Sequence, residues 1–438
     1  MTEQHFSEQD IPSTYQDAYL TLRTRIMDAL DAETVETTSS NDLHQQMRDA
    51  IDTLVDKENI QIPVALRSVF TKQMVNEIKG LGPLQPLMDD PDISDIMVNG
   101  PQSVYIEQGG CLTKTSITFL DDAQLQNIAR RIAAFAGRRI DEANPLCDAR
   151  LPDGSRVNIA IPPIALDGTS LSIRKFSSKK IGLEQLVDFG ALSPDMAKSL
   201  AIAARCRLNI LISGGTGSGK TTLLNALSNH VSESERIVTI EDAAELCLQQ
   251  PHVVRMETRP AGIENTGAIS QRDLVINSLR MRPDRIVIGE CRGSEAFEML
   301  QAMNTGHDGS MSTLHANTPR DALARMESMV MMAVPNMPLE SIRRNIASAV
   351  DLVIQVSRLH DGSRKIMSIS EVMGVEGDKI TLEELFRFDI ASRQPGEAIQ
   401  GHFNTPGLLK RSVLSAKARF FGLEELLRSA FTSTTDAP

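Results

Sequence analysis

The stretch 208–222, LNILISGGTGSGKTT, constrains this chain more than any other. An apolar run from Leu208 to Ile212 has the length and content of a buried strand. A glycine-rich loop follows: Gly214, Gly215, Thr216, Gly217, Ser218 and Gly219. Lys220, Thr221 and Thr222 come next, and Leu223, Leu224 and Leu227 then repeat at helical spacing. Strand, G-x-x-x-x-G-K-T and helix, in that order, are a phosphate-binding loop in its confirming context. Glycines let the backbone curl until successive N–H groups point inward, and the helix N-terminus adds positive potential. Lys220 has the reach for β- and γ-phosphates, and the Thr221 hydroxyl suits Mg²⁺. A glycine-rich turn that holds nothing would not need the lysine, the threonine and both flanking elements. The loop implies a nucleoside triphosphate; it does not say which machine uses it.

A length of 438 residues suggests two or three domains. The formal net charge of −12 argues against non-specific nucleic-acid binding as the main task. No apolar run approaches the ~18 residues of a membrane span, and the acidic start MTEQHFSEQD carries no secretory signal. Any membrane connection must then pass through a partner. The five cysteines, Cys111, Cys147, Cys206, Cys247 and Cys291, form no C-x-x-C and read as buried or half-buried thiols of a reducing cytosol.

Along the chain, 1–13 reads as a solvated tail. Tyr15, Tyr19, Leu22, Ile26 and Leu30 then keep helical spacing. After a polar linker, 31–42, a second helix carries Leu43, Met47, Ile51, Leu54 and Val55 on one face, and a third spans Pro63 to Gly80. Residues 1–80 are therefore expected to be a tail and a three-helix bundle. From 81 to 180, short strands alternate with Asp-Pro, Asn-Gly and Asp-Gly turns around one helix near 121–136, which argues an α+β domain. Its arginines, Arg138, Arg139, Arg150, Arg156 and Arg174, stand out in an acidic chain and suit phosphate. Residues 177–195 read as a linker entering a helix. From 181 to 438, strands near 208–213, 236–240, 253–256, 285–289 and 310–314 alternate with helices, as in a doubly wound α/β core. The methionine-rich segment 318–350 reads as helical, with Met326, Met329, Met331, Met332 and Met337 as core filler. Strands near 352–356 and 365–375 precede a mixed tail.

Three further stretches carry chemistry. In RIVTIEDAAEL, Glu241 and Asp242 follow a strand, at the sheet edge where α/β folds bind ligands. In RPDRIVIGECRG, a buried strand runs to Glu290, an arrangement that sets a carboxylate beside the metal. The preceding residue is Gly289 rather than the aspartate of many P-loop ATPases, so Glu290 alone must serve, through water on Mg²⁺ or as base. In TGHDGSMSTLHANTP, His307 and His315 are too poor in companions for a metal site and suit a loop that senses phosphate or water. Candidate metal contacts are Thr221, Glu290 and Glu241.

Together these four stretches resemble the Walker A, Asp box, Walker B and His box of the secretion ATPases of type II and type IV systems. GLGPLQPLMDDPDISDIMVNG and DARLPDGSRVNIAIPP…SIRKF are similar to the CpaF/TadA-like branch, the motors of Tad pili. The resemblance spans roughly 65–390. It implies a RecA-like domain after an α/β N-terminal domain, a homo-hexameric cytoplasmic ring, ATP and Mg²⁺, and inner-membrane platform proteins as partners. It also implies arginines of the N-terminal domain on the γ-phosphate, with Arg174 the first choice and Arg156 the second. The rival readings are a DNA-translocating motor, which the acidic balance opposes, and a regulatory GTPase, for which no N-K-x-D motif exists.

Overall fold

The computed structural model describes residues 11–30, 38–176, 181–259, 261, 266–392, 399–408 and 411–432. Most of the expected tail, at 1–10, and parts of the expected linkers, at 31–37 and 177–180, lie outside these residues. The chain divides into two compact units, Met1–Ser177 and Ser178–Pro438.

In the first unit three helices form where the periodicity places them: α1 (Gln16–Ala29), α2 (Ser40–Glu58) and α3 (Val64–Ile78). The Ser39 hydroxyl caps α2 by accepting from the Asp42 N–H, and Pro63 precedes α3, where its missing N–H costs nothing. The apolar stripes meet in one core, with Leu22, Leu43, Ile51, Leu66, Phe70 and Met74 almost wholly buried. After the short α4 (Gln85–Asp89) come β1 (Ile93–Asn99), β2 (Val104–Gln108), β3 (Cys111–Lys114), α5 (Asp122–Phe135), β4 (Leu146–Arg150), β5 (Arg156–Ala160) and β6 (Ser170–Arg174). The strands form an antiparallel sheet of order β3-β2-β1-β6-β5-β4. Alternation along β5 and β6 buries Val157, Ile159, Leu171 and Ile173 in one core with Leu125, Ile128 and Ile132 of α5, and turns the polar residues to solvent. Arg131 on α5 donates to the carbonyls of Glu77, Ile78 and Gly80, satisfying the end of α3.

Strand β3 was not expected. All four of its residues are exposed, so no burial alternation marks it. It also holds Cys111 at the surface, against the expectation of a buried or half-buried thiol.

The second unit begins with α6 (Leu183–Asp188) and α7 (Pro194–Arg205). The core follows: β7 (Ile210–Gly214), α8 (Lys220–Ser228), β8 (Ile237–Glu241), β9 (Val253–Glu257), α9 (Gln271–Ser278), β10 (Arg285–Ile288), α10 (Glu295–Asn304), β11 (Met311–Leu314), α11 (Pro319–Ala333), α12 (Leu339–Ala349) and β12 (Leu352–Arg358). β13 (Arg364–Glu376), β14 (Lys379–Ser392), β15 (Gln400–Asn404), α13 (Val413–Phe420) and α14 (Glu424–Thr432) complete it. The sheet order is β15-β14-β13-β12-β7-β11-β10-β8-β9, parallel from β12 to β9 and antiparallel beyond. Ile210 and Ile212 of β7 enter one core and Leu211 the other, so both faces are covered, as a RecA-like α/β fold requires.

One expectation for this unit is filled in and one is corrected. The mixed tail after 375 holds two more strands; β14, KITLEELFRFDIAS, is rich in charges that read as helix surface rather than strand. The segment 318–350 is two helices, and only part of its methionine cluster is core: Met326 and Met329 are buried, whereas Met331 and Met332 are exposed.

At the N-terminal edge of the parallel strands Arg285 is fully buried. Its Nε and Nη2 lie 2.7 and 3.1 Å from the carboxylate oxygens of Glu235. Removing one partner strands the other charge, so Glu235→Ala should lower stability by about 3–5 kcal/mol, and the double change Glu235→Leu, Arg285→Met should recover most of it. Urea unfolding of the three proteins checks this.

Candidate active site

Strand β7 is buried along its whole length and ends at Gly214. A Cβ on Gly214 would fall 2.3 Å from the Val356 carbonyl oxygen and 2.6 Å from Ser218 Oγ, so only glycine fits. Gly219, at φ 98°, caps α8, and the loop between them keeps Gly215, Thr216 and Gly217 exposed while Ser218 is buried, donating to the Gly215 carbonyl. Lys220 starts α8. It is 8% exposed, and its Nζ donates to the carbonyls of Gly214 and Gly215, each at 2.9 Å. Burial depresses its pKa, with Glu290 opposing. Thr221 and Thr222, half-buried, occupy the same first turn.

β11, β10 and β8 lie in that order on one side of β7, and their C-terminal ends deliver His315, Glu290 and Glu241. His315 Nε2 stands 2.6 Å from Glu290 Oε1. Burial lowers the His315 pKa, against the pull of Glu290. The other Glu290 oxygen accepts from Arg292, at 2.8 Å from Nε, and Arg292 also lies 3.6 Å from Asp242. Glu241 is 3% exposed. Its Oε2 accepts from the N–H groups of Glu245 and Leu246 at 2.7 and 2.9 Å, and its Oε1 has no hydrogen-bond partner among the described residues. Burial pushes its carboxyl up to about 7, although the two N–H bonds pull the other way. Gly289 explains its own departure from aspartate: a Cβ there would sit 2.9 Å from Glu241 Cγ. The glycine leaves room for the second carboxylate.

Among the described residues no three His, Cys, Asp or Glu side chains are grouped to hold a metal ion. Mg²⁺ is commonly held by one or two carboxylates together with substrate phosphates. The donors fit: a hydroxyl at Thr221, Glu290 beside Lys220, and the unpartnered Oε1 of Glu241.

The structure thus sets Glu290 and His315 near Lys220, with Thr221 in the same first turn, and places Glu241 at the same C-terminal edge of the sheet, on the strand beyond Glu290. His307 is elsewhere. It precedes β11 by four residues, with Nδ1 3.2 Å from the Ala302 carbonyl oxygen, at the edge where Gly309 N–H reaches Asn209. That is the opposite edge of the sheet from Lys220, so a shared glycine-rich segment misled the pairing of the two histidines. In the first unit, Arg156 and Arg174 are directly opposed across β5 and β6, with Arg150 and Asp95 in the same row on β4 and β1. Arg174 Nε lies 3.3 Å from Asp95 Oδ1, and its side chain is 57% exposed. Sequence reasoning missed Arg292; the signal was its place two residues beyond Glu290, within the same turn.

Because the native state holds a proton on Glu241 up to about pH 7 while the unfolded chain loses it near 4.5, stability falls as pH rises through that window. Glu241→Gln removes the fall. Its unfolding free energy, from urea titrations, should match the parent near pH 4 and exceed it near pH 8 by about 3 kcal/mol.

The chain is similar to several known proteins. The family described as "Type II/IV secretion system protein" matches residues 77–384. A putative conjugal transfer protein of Mycobacterium tuberculosis is 39% identical over 307 residues, covering 69% of this chain and 87% of that one. The type IV secretion system protein VirB11 of Bartonella quintana is 32% identical over 328 residues, covering 66% and 91%. The solved VirB11 ATPase of the Brucella suis type IV secretion system is 30% identical and covers 66% of this chain and 96% of that one, with a TM-score of 0.36. With a phosphate loop, two carboxylates and a histidine on one sheet edge, the chain belongs to the type II/IV secretion system protein family and is a P-loop ATPase.

Proposed function

We propose that this chain is a Mg²⁺-dependent motor of the CpaF/TadA-like branch. In this reading it works as a homo-hexamer in the cytoplasm, coupling ATP hydrolysis through inner-membrane platform proteins to assembly of a Tad or type IV-like pilus, or to protein secretion. The observation that carries the ATPase half is the convergence of Lys220, Glu290, His315 and Glu241 beside the phosphate loop. The branch rests on GLGPLQPLMDDPDISDIMVNG and DARLPDGSRVNIAIPP…SIRKF. That no helix among the described residues is long and apolar enough to cross a membrane fits attachment through partners.

In this mechanism loop N–H groups and Lys220 hold the β- and γ-phosphates. Glu241 or Glu290 takes the proton of the attacking water as its oxygen bonds to the γ-phosphorus, and ADP leaves with the electron pair of the broken P–O bond. Glu241 suits the base, since burial raises its carboxyl to about 7, near the working pH. Glu290, set between Arg292 and His315, supports Lys220 electrostatically. Thr221 and these carboxylates would hold Mg²⁺, which would supply charge neutralisation for the phosphates. Arg174, or Arg156 beside it, meets the γ-phosphate. The Arg174–Asp95 pair is solvent-exposed, so breaking it costs little.

Lys220→Ala should abolish hydrolysis with the fold retained. Glu290→Gln and Glu241→Gln should each bind ATP but turn over about 10²–10⁴-fold more slowly. Wild-type turnover in Lys220→Ala would refute the site. Arg174→Lys should be nearly inactive. If it keeps wild-type turnover while Arg156→Lys is dead, the two arginines are exchanged. Pull-down from a membrane fraction should return platform proteins, and DNA should not stimulate turnover.

A further inference from the structure

On the side of β7 away from the carboxylates, β12 ends at Arg358 and β13 begins at Arg364, and the two residues are directly paired across the hairpin. Paired residues of antiparallel strands share a face, so two guanidinium groups project together. They project at the phosphate loop. Arg364 Nε donates to the Gly217 carbonyl at 2.9 Å. A Cβ on Gly219 would lie 3.4 Å from Arg364 Cδ, and one on Gly217 would lie 3.7 Å from Arg358 Nη1. The hairpin tip is fixed. Leu359 N–H donates to the Ser363 carbonyl, and Asp361 accepts from Ser363 N–H, Ser363 Oγ and Ile399 N–H.

Like charges directly opposed on a ladder are unfavourable, and here they adjoin a loop already positive from Lys220 and a helix N-terminus. A polyanion offsets that repulsion. Its direction follows from strand order. β11, β10 and β8 bring His315, Glu290 and Glu241 to one side of the loop, where the reacting γ-phosphate belongs; β12 and β13 flank the other. Arg364 also engages the loop by a carbonyl, hence from its outer side rather than from the N–H concavity.

We infer that Arg358 and Arg364 form a cationic rim of the same chain that takes the nucleoside end of a bound nucleoside di- or triphosphate, its α-phosphate and sugar. The inference rests on the nucleotide reading of the loop and adds to it two binding residues that do not meet the γ-phosphate.

The test is calorimetric titration of the full chain, as wild type, Arg358→Ala, Arg364→Ala and Lys220→Ala, with ATP, ADP and inorganic pyrophosphate. Melting curves establish that each variant is folded. Arg358→Ala and Arg364→Ala should each weaken ATP and ADP by one common factor, about ten- to a hundredfold, and leave pyrophosphate, which has no counterpart of the α-phosphate or sugar, within about twofold. Weakening of ATP alone would put the arginines on the γ-phosphate and overturn the inference. Equal weakening of all three anions would reduce them to a brace for the loop and overturn it too, as would no change. Lys220→Ala should lose all three anions. If it binds them as wild type does, the nucleotide reading itself fails and takes this inference with it.

Discussion

The close approach of two backbones at Gly214 is the constraint on which the rest of the second unit depends. β7 is the central strand, paired with β11 on one side and β12 on the other, and it ends where Val356 leaves no space for a side chain. Its opposite end is locked as firmly. Asn209 N–H donates to Asp351, its side-chain amide donates to the Ala349 carbonyl, and its Oδ1 accepts from Gly309 and Ser310 N–H. Both ends of one buried strand are thereby tied to its neighbours. The phosphate loop inherits its position from the sheet rather than from its own flexible glycines.

From that fixed point the site is assembled by subtraction as much as by addition. Gly289 carries no side chain so that Glu241 can lie against it, and Glu241 is then too dry to ionise easily. A carboxylate that folds more readily protonated opposes folding whenever it is charged, a stability penalty placed where chemistry needs a base near neutrality. Glu290 follows the other strategy. It accepts from Arg292 on one oxygen and has His315 Nε2 close to the other. Neighbouring strands thus present two carboxylates in unlike environments, the arrangement that separates proton transfer from electrostatic support.

Much of this was legible in the sequence where one residue type has one physical use. The strand before Gly214, the helix after Gly219 and the carboxylates ending two apolar strands follow from burial and spacing alone. What was not legible depends on register between distant strands. β14 is charged along its length, and only pairing with β13 reveals it as a strand. Arg358 and Arg364 lie six residues apart around a turn that reads as solvent-facing, and nothing local says that the turn abuts residues near 217. His307 was misjudged for the converse reason: eight residues from His315 along the chain, it lies at the other end of the strand between them.

The same device occurs twice in this acidic protein. In the first unit Arg150, Arg156 and Arg174 stand in one row across three antiparallel strands, with Asp95 at the end of the row. In the second unit Arg358 opposes Arg364. Each row works against sheet pairing, because like charges repel across a ladder, and each lies on a solvent-facing side where packing returns little. With a formal charge of −12 overall, positive potential away from such rows is largely cancelled, so the rows keep it local. A flat comb of guanidinium groups matches the spread charge of a polyphosphate better than flexible lysines would. One row borders the phosphate loop. The other lies in the first unit, where Arg174 ends its row against Asp95.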